Sequence, residues 1–263
     1  MVSVIIPVFN KVELTRRCLN SVLQNSKITT EVFMIDNAST DTTFQELQDW
    51  ALKFQEKGIL FEITSNSKNL GFGSACNQGI RQANGEYVAI LNNDTWVMPG
   101  WDQALSEELI THGLDEVGPH FDERPIGEHP EAVAEEFLKK NPVRLRKHFV
   151  PILIFFTKSA IQRLKFEHGG IFDELFFVTY EDTDLLHRMK LLKMKFGQTS
   201  RCYIWHHSMG TRSTPGLLPE GYEVDGLKKF IGKWGFDPRK SEHTFIERLK
   251  RRWRKSRSKM GLF

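Results

Sequence analysis

Tyr87-Val88-Ala89-Ile90-Leu91-Asn92-Asn93-Asp94-Thr95 carries an unbroken apolar segment straight into a cluster of oxygen-bearing side chains. An apolar run bounded by Gly85-Glu86 and Asn92-Asn93-Asp94 reads as a central strand of a parallel sheet, covered on both faces. In open α/β sheets, ligands collect just outside the carboxyl ends of such strands. Asp94 therefore stands where a hard divalent cation would be held, because such ions prefer carboxylate and phosphate oxygens. Taken alone, the triplet reads more readily as a solvated turn. The rest of the chain decides between the two.

The segments before it repeat one pattern. Val2-Ser3-Val4-Ile5-Ile6-Pro7-Val8-Phe9-Asn10 is a strand closed by Pro and Asn, and Leu14, Cys18, Val22 and Leu23 follow at helical spacing. Glu31 to Ile35 gives a second strand, and Asp36-Asn37-Ala38-Ser39-Thr40-Asp41 is a polar loop rich in helix-capping residues. Phe44, Leu47, Ala51 and Phe54 mark the next helix, and Ile59 to Thr64 makes a third strand. After the Asn66–Gly73 loop, Ala75, Cys76, Gly79, Ile80 and Ala83 form a small-residue helix face able to approach a sheet closely. The pair Gly71-x-Gly73 is no dinucleotide fingerprint: Cys76 replaces the third glycine, and the pair does not follow the first strand. The resulting β-α-β-α-β-α-β series predicts a doubly wound, mostly parallel sheet flanked by helices.

Between His112 and His148 the pattern dissolves into Pro, Gly and charge, apart from a helix expected at Glu131 to Lys140. Phe149 to Phe156 resumes as a strand and Ser159 to Leu164 as a short helix. Gly169-Gly170 turns the chain into an aromatic segment. Tyr180-Glu181-Asp182-Thr183-Asp184 then opens a helix whose acidic first turn suits the helix dipole. Gln198 to Trp205 is the last expected strand and ends in His206-His207-Ser208, and helices follow Gly221. Residues 1–220 are thus expected to form the main domain, as a ligand-binding half over 1–111 and a second half over 112–220. Residues 221–263 form a helical extension.

The 263 residues, 40% of them hydrophobic, suffice for a substantial core. Cys18, Cys76 and Cys202 lie far apart with no C-x-x-C spacing, which suggests neither a disulfide framework nor a thiolate zinc site and fits a reducing cytoplasm. No signal sequence or membrane-spanning run is apparent. The net charge of +3 conceals a tail, Arg248 to Lys259, with eight Lys/Arg and no acid, which leaves the other 251 residues at −5. An acidic body with one basic end argues against a specific nucleic-acid surface. Phe245, Leu249 and Trp253 share one helical face with Ile246 beside them, ringed by basic residues. Phe245-Lys259 is therefore expected to lie on an anionic membrane surface, giving a peripheral position on the inner face of the cytoplasmic membrane.

Six stretches together resemble a family 2 glycosyltransferase, most closely the bacterial rhamnosyltransferase-like members. They are Val4 to Asn10, Asp36 to Asp41, Asn69-Leu70-Gly71-Phe72-Gly73, Leu91 to Thr95, Phe172-Asp173-Glu174 with Glu181 to Asp184, and His206-His207-Ser208. Any one is weak; six in order across residues 2–212 are specific. The resemblance implies a GT-A fold, an inverting mechanism dependent on Mn2+ or Mg2+, and a nucleotide-sugar donor carrying UDP or dTDP. It also implies a glycan, lipid-linked or protein-linked acceptor in cell-surface polysaccharide synthesis. By position it places Pro7 and Phe9 beside the nucleobase, Asn10 among the nucleotide-sugar-binding residues, Asp36 and Asn37 at base and ribose, and Asn69 in the flanking loop. Asn92-Asn93-Asp94 occupies the place of the D-x-D motif, with Asn replacing the first acid. Asp182 matches the general base, with Glu181 as its nearest rival.

The chemistry asks for the same residue types. Cleavage of a sugar–diphosphate bond leaves charge on the departing phosphate, which a cation held by Asp94 and His206 would stabilise. An attacking hydroxyl must lose its proton, a task for a carboxylate. A nucleotidyltransferase would want a Gly-rich basic loop after the first strand, and Pro7-Val8-Phe9-Asn10 offers none. A catalytically silent nucleotide-sugar scaffold would have no need of Asp94, Asp182 and His206 together.

Overall fold

The computed structural model describes residues 1–123, 129–207 and 220–240. The first half follows the expected alternation: β1 Val2–Val8, α1 Val12–Asn25, β2 Thr29–Asp36, α2 Thr43–Glu56, β3 Leu60–Ser65, α3 Phe72–Gln82 and β4 Tyr87–Leu91. These four strands pair in parallel in the order β3-β2-β1-β4. Every residue of β1 and β4 is buried, as the continuous apolar runs require. Along β1 the side chains alternate between two cores. Val4, Ile6 and Val8 pack with Cys18, Leu19 and Val22 of α1 on one face, and Ile5 with Ala75, Cys76 and Ile80 of α3 on the other. Gly79 lets α3 approach so closely that a Cβ there would stand 2.6 Å from the Ile5 side chain.

The second half completes the sheet with β5 Thr95–Val97, α4 Trp101–His112, β6 Glu116–Asp122, α5 Pro130–Lys140, β7 Leu145–Arg146, β8 Leu153–Thr157, α6 Lys158–Leu164, α7 Glu181–Leu191, β9 Phe196–His206 and α8 Tyr222–Trp234. Here β8 runs antiparallel to β4, and the order continues β8-β6-β9-β5, with β7 attached to β9. The architecture is mixed α/β with a mostly parallel central sheet flanked by helices.

Several boundaries differ from the sequence reading. The stretch 112–148 is not structureless: β6 lies within it, disguised by Gly118-Pro119 at its centre and by Glu116, which is fully buried. Pro119 is tolerated because the ladder to β9 breaks there, jumping from Pro119↔Thr199 to His120↔Tyr203. Helix α4 was hidden because its inner face carries Asp102, Ser106 and Glu108 among the apolar residues. Asp102 alone accepts from the backbone N–H groups of Lys27, Ile28 and Thr29 at 2.8–3.0 Å, fixing the turn before β2. The strand expected from Phe149 begins at Leu153. The basic segment Phe245-Lys259 and the loop after His207 lie outside the described residues. Among the described residues no helix is long and apolar enough to cross a membrane.

Helix α8 packs against the start of α7. Lys233 Nζ donates to Asp173 Oδ2 and to the fully buried Asp184 Oδ1, both at 2.6 Å, and Trp234 Nε1 donates to Asp184 at 2.8 Å. Arg188 grips the other Asp184 oxygen at 2.9 Å. Phe230 is buried against Phe176, Tyr180 and His187. Gly226 lies so near the loop that a Cβ would meet Thr179 Oγ1 at 2.3 Å. Tyr180, next to Glu181, holds a left-handed φ of 68° in this clasp. Burial works to raise the Asp173 pKa, but the Lys233 ammonium, the Leu175 N–H and Arg188 outweigh it and hold the carboxyl below its ordinary value. A depressed carboxyl contributes stability above its unfolded pKa near 4, and loses it as pH falls through the folded value. Lys233→Met should therefore cost about 3 kcal/mol in urea unfolding at neutral pH, as expected when a buried pair loses one partner. The deficit should shrink below about pH 4. Wild-type stability in this variant at pH 7 would show that α8 is only loosely attached.

Candidate active site

The carboxyl ends of β1, β2 and β4 open onto one edge of the sheet, where the loops following them are laced together. Asn10 and Lys11 both hold left-handed backbone, with φ of 58° and 66°, a region Asn tolerates better than most residues. Asn10 Oδ1 accepts from Thr40 N at 2.7 Å, and its own N–H donates to Ser39 Oγ at 2.8 Å, so the loops after β1 and β2 move as one. Asp36, only 2% exposed, accepts from Ser39 N at 3.0 Å. Pro7 is buried in β1, whereas Phe9 is partly exposed at its end.

Asn37 uses its whole amide inside the protein. Oδ1 accepts from Leu70 N at 2.9 Å and Asn66 Nδ2 at 3.1 Å, while Nδ2 donates to Asn69 Oδ1 at 2.7 Å and Gly71 O at 3.2 Å. Two donors and two acceptor sites are its full capacity. This clasp shapes the 66–71 loop. Gly71 in turn passes beneath Phe177: its φ is 87°, a Cβ would stand 2.0 Å from Phe177 O, and Phe72 N donates to that carbonyl at 3.0 Å. The 66–71 loop is thereby tied to the segment that leads into Glu181 and Asp182.

At the end of β4 the three polar residues diverge. Asn93 turns inward, donating to Thr15 Oγ1 of α1 at 2.9 Å. Asn92 Oδ1 is buried with no hydrogen-bond partner among the described residues. Asp94 meets His206: Asp94 Oδ1 and His206 Nε2 are 3.3 Å apart, with both side chains about one-tenth exposed. The pairing Thr95↔His206 between β5 and β9 brings them together, and His207 N donates to Asp94 O at 2.8 Å. His206, not the exposed His207, faces the carboxylate. Glu123 Oε1 lies 3.2 Å from His206 Nδ1, the position of a carboxylate that orients a metal-binding imidazole. Burial would lower the His206 pKa, but its bonds to Asp94 and Glu123 and their charges outweigh that and raise it.

Among the described residues no three His, Cys, Asp or Glu side chains stand as a ready metal cage. The pair nevertheless fits a hard cation: a carboxylate, an imidazole already oriented from behind, and the unpartnered Asn92 oxygen nearby. The remaining positions would fall to phosphate oxygens.

Asp182 and Glu181, the first residues of α7, face different ways. Glu181 is 4% exposed, and its charge reaches Cys76 on α3, so it points inward. Asp182 is partly exposed and hydrogen-bonds to Thr183 N at 2.6 Å, with no bond to Asp94 or His206. All three cysteines are buried, and burial pushes the Cys18 thiol up to about 12, which leaves none as a nucleophile.

Two positioning residues escaped the sequence reading. Asn77 on α3, fully buried, accepts from Ile171 N at 2.9 Å and Phe172 N at 3.0 Å and donates to Phe172 O at 2.9 Å, pinning the glycine turn. An amide inside the face Ala75-Cys76-x-x-Gly79-Ile80 was the available signal. Glu123 had none, because it follows a strand the pattern concealed.

Residues 3–171, well over half of the chain, match the family described as Glycosyl transferase family 2. Glycosyltransferase AglE of Haloferax volcanii is 33% identical over 119 residues, 44% of this chain and 38% of that protein. Against the curated relatives EpsJ, GlyA and AglE the matched stretch spans 34%, 16% and 38% of their own length. The fold is similar to mannosyltransferase PcManGT from Pyrobaculum calidifontis in complex with GDP-Man and Mn2+, at TM-score 0.60 and 19% identity over 88% of this chain and 61% of that one. It is also similar to GalNAc-T7 with UDP, GalNAc and Mn2+, at TM-score 0.68 and 16% identity over 88% and 47%. Glu181, Asp182 and His206 lie beyond the matched residues. With its GT-A architecture and a match that runs through β1, the Asp36 loop and Asn92-Asn93-Asp94, the chain belongs to glycosyl transferase family 2.

Proposed function

We propose that this protein transfers a sugar with inversion from a UDP- or dTDP-activated donor to a glycan, lipid-linked or protein-linked acceptor in cell-surface polysaccharide assembly. The observation that carries the reading is the convergence of Asp94 and His206, 3.3 Å apart, at the carboxyl edge of the sheet. The two neighbours solved with Mn2+ and a nucleotide or nucleotide sugar, PcManGT and GalNAc-T7, support a divalent cation and a nucleotide-sugar donor here. A rhamnosyl donor accords with the sequence resemblance. The unmatched basic segment Phe245-Lys259 is read as a reversible membrane address on the cytoplasmic side.

In this reading Asp94 and His206 hold Mn2+ or Mg2+. When bound, the cation would stabilise the charge that develops on the departing diphosphate. Phe9 and the laced loops around Asn10, Asp36, Asn37 and Asn69 form the nucleoside side of the site. Asp182 takes the proton from the acceptor hydroxyl as that oxygen bonds to the anomeric carbon. The sugar–phosphate bond breaks, and its electron pair leaves with the nucleoside diphosphate. Attack from the opposite face inverts the anomeric centre. The exposure of Asp182 favours it over Glu181, whose side chain is buried against α3.

UDP with Mn2+ should raise the melting temperature far more than UDP with chelator. At a concentration of about 100 times Kd the stabilisation is about 2.7 kcal/mol, or several degrees for a chain of this size. Equal shifts in excess chelator would remove the metal assignment. Asp182→Asn should lower turnover at least about a hundredfold while leaving nucleotide binding nearly intact. Retained turnover there, with loss in Glu181→Gln, would move the base by one residue.

A further inference from the structure

Between α5, the 141–146 strap and the β6/β9 pair lies a recess of about 150 Å³, lined among others by His120, Phe137, Arg144, Arg146 and Ser200. It exists because β9 leaves the ladder after Thr199 and rejoins it at Tyr203, which frees Ser200, Arg201 and Cys202 from pairing with β6. The strap over the gap is firmly held. Arg144 N donates to Ser200 Oγ at 2.8 Å, Ser200 N to Arg144 O at 3.0 Å, and Ser200 Oγ to Pro142 O at 2.9 Å. β7 pairs Leu145 with Thr199 and Arg146 with Gln198. Gly197 admits this approach: a Cβ there would meet the Leu145 side chain at 2.8 Å and Arg146 O at 3.0 Å.

Arg144 and Arg146, on either side of Leu145, both line the recess. Neither guanidinium has an acceptor among the described residues. Arg16, Arg163, Arg188 and Arg201, by contrast, are each matched to a carboxylate. The segment Lys139 to His148 carries five Lys/Arg and no acid, and Lys139 and Lys140 are already matched to Glu135 and Glu136. At the recess wall, the His120 ring stacks on Phe137 with centroids 4.2 Å apart and makes no hydrogen bond among the described residues. Two unmatched guanidinium forks beside an imidazole form a set of donors suited to phosphate oxygens.

We propose that this recess is a second anion site, which takes a phosphate mono- or diester carried by the acceptor. It is displaced from the Asp94–His206 pair: Pro119, which pairs with Thr199, and Asp122, which pairs with Trp205, are three residues apart on β6, on the order of 10 Å at the usual strand rise. It is nevertheless built on the same two strands. Tyr203 OH donates to Asp122, and the next residue, Glu123, orients His206. That the ester belongs to an acceptor rests on the glycosyl-transfer reading; the anion site itself does not. The ester can come from a soluble phosphorylated glycan or from a lipid headgroup, and the chemistry recognised is the same.

The test uses the full chain with UDP and Mn2+ at saturation, so that the donor seat is closed to the probe. Glycerol 3-phosphate is titrated with thermal stability as the readout, and binding to phosphatidylglycerol vesicles is measured beside phosphatidylcholine vesicles. The variants are Arg144→Gln with Arg146→Gln, and Lys139→Gln with Lys140→Gln, which removes the same charge outside the recess. The expected result is a glycerol 3-phosphate response weakened at least tenfold in the arginine variant and kept in the lysine variant. A parallel loss of vesicle binding assigns the ester to a headgroup; loss of the glycerol 3-phosphate response alone assigns it to a soluble acceptor. Equal losses in both variants, or no response in the unaltered protein, overturn the site. A phosphate response without any UDP response would keep the anion site and sink the glycosyl-transfer reading instead.

Discussion

The antiparallel pairing of a three-residue strand, Thr95–Val97, with the end of β9 is the contact on which the site depends. Parallel strands alone bring Asp36 and Asp94 to one edge of the sheet, but no imidazole. Only when the chain turns back after Asn93 and zips onto Ile204, Trp205 and His206 does an imidazole arrive beside Asp94. The short strand is anchored from behind by Asn93 on Thr15, by Thr95 Oγ1 on Asn92 O at 2.7 Å, and by Ser21 Oγ, which accepts from Val97 N at 3.2 Å. The three polar side chains thus diverge: Asn93 fixes the turn, while Asp94 faces His206.

A second constraint joins the halves of the molecule. Asn37 shapes the 66–71 loop, Gly71 slides under Phe177, Asn77 pins Ile171 and Phe172, and α8 clamps Asp173 and Asp184 through Lys233. Each is a polar contact with little surrounding water, where an unmade bond is expensive and a satisfied one specifies a unique arrangement. Together they orient the first turn of α7, so that Glu181 faces α3 and Asp182 faces outward. The outward position of Asp182 thus depends on residues far from it in sequence, including Lys233 on α8.

The first ninety residues were legible because β1, β2 and β4 are buried on both faces and their helices amphipathic, so apolar runs and helical spacing map directly onto elements. That Asp36, Asn37 and Asp94 stand at or just beyond strand ends was legible too, because the apolar runs stop there. Beyond Asp94 the rules conflict. β6 carries Gly118-Pro119 and a buried Glu116 whose pKa burial pushes well above the ordinary value. α4 turns Asp102 and Glu108 toward the core, and β5 is too short to show alternation. Lys233 and Glu123 were invisible for a different reason: their roles are defined by partners 49 or more residues away, and no local pattern encodes that.

The central assignment is that Asp94 and His206 jointly seat the cation that receives the donor diphosphate. Electron paramagnetic resonance of Mn2+ titrated into the full chain in the presence of UDP reads this directly, because the free-ion signal disappears on binding. The expected result is tight depletion of the signal by the unaltered protein, and loss of that depletion by at least about tenfold in affinity in Asp94→Ala and in His206→Ala, as for the removal of a metal ligand. Undiminished Mn2+ binding in both variants would contradict it and place the cation elsewhere on the sheet edge.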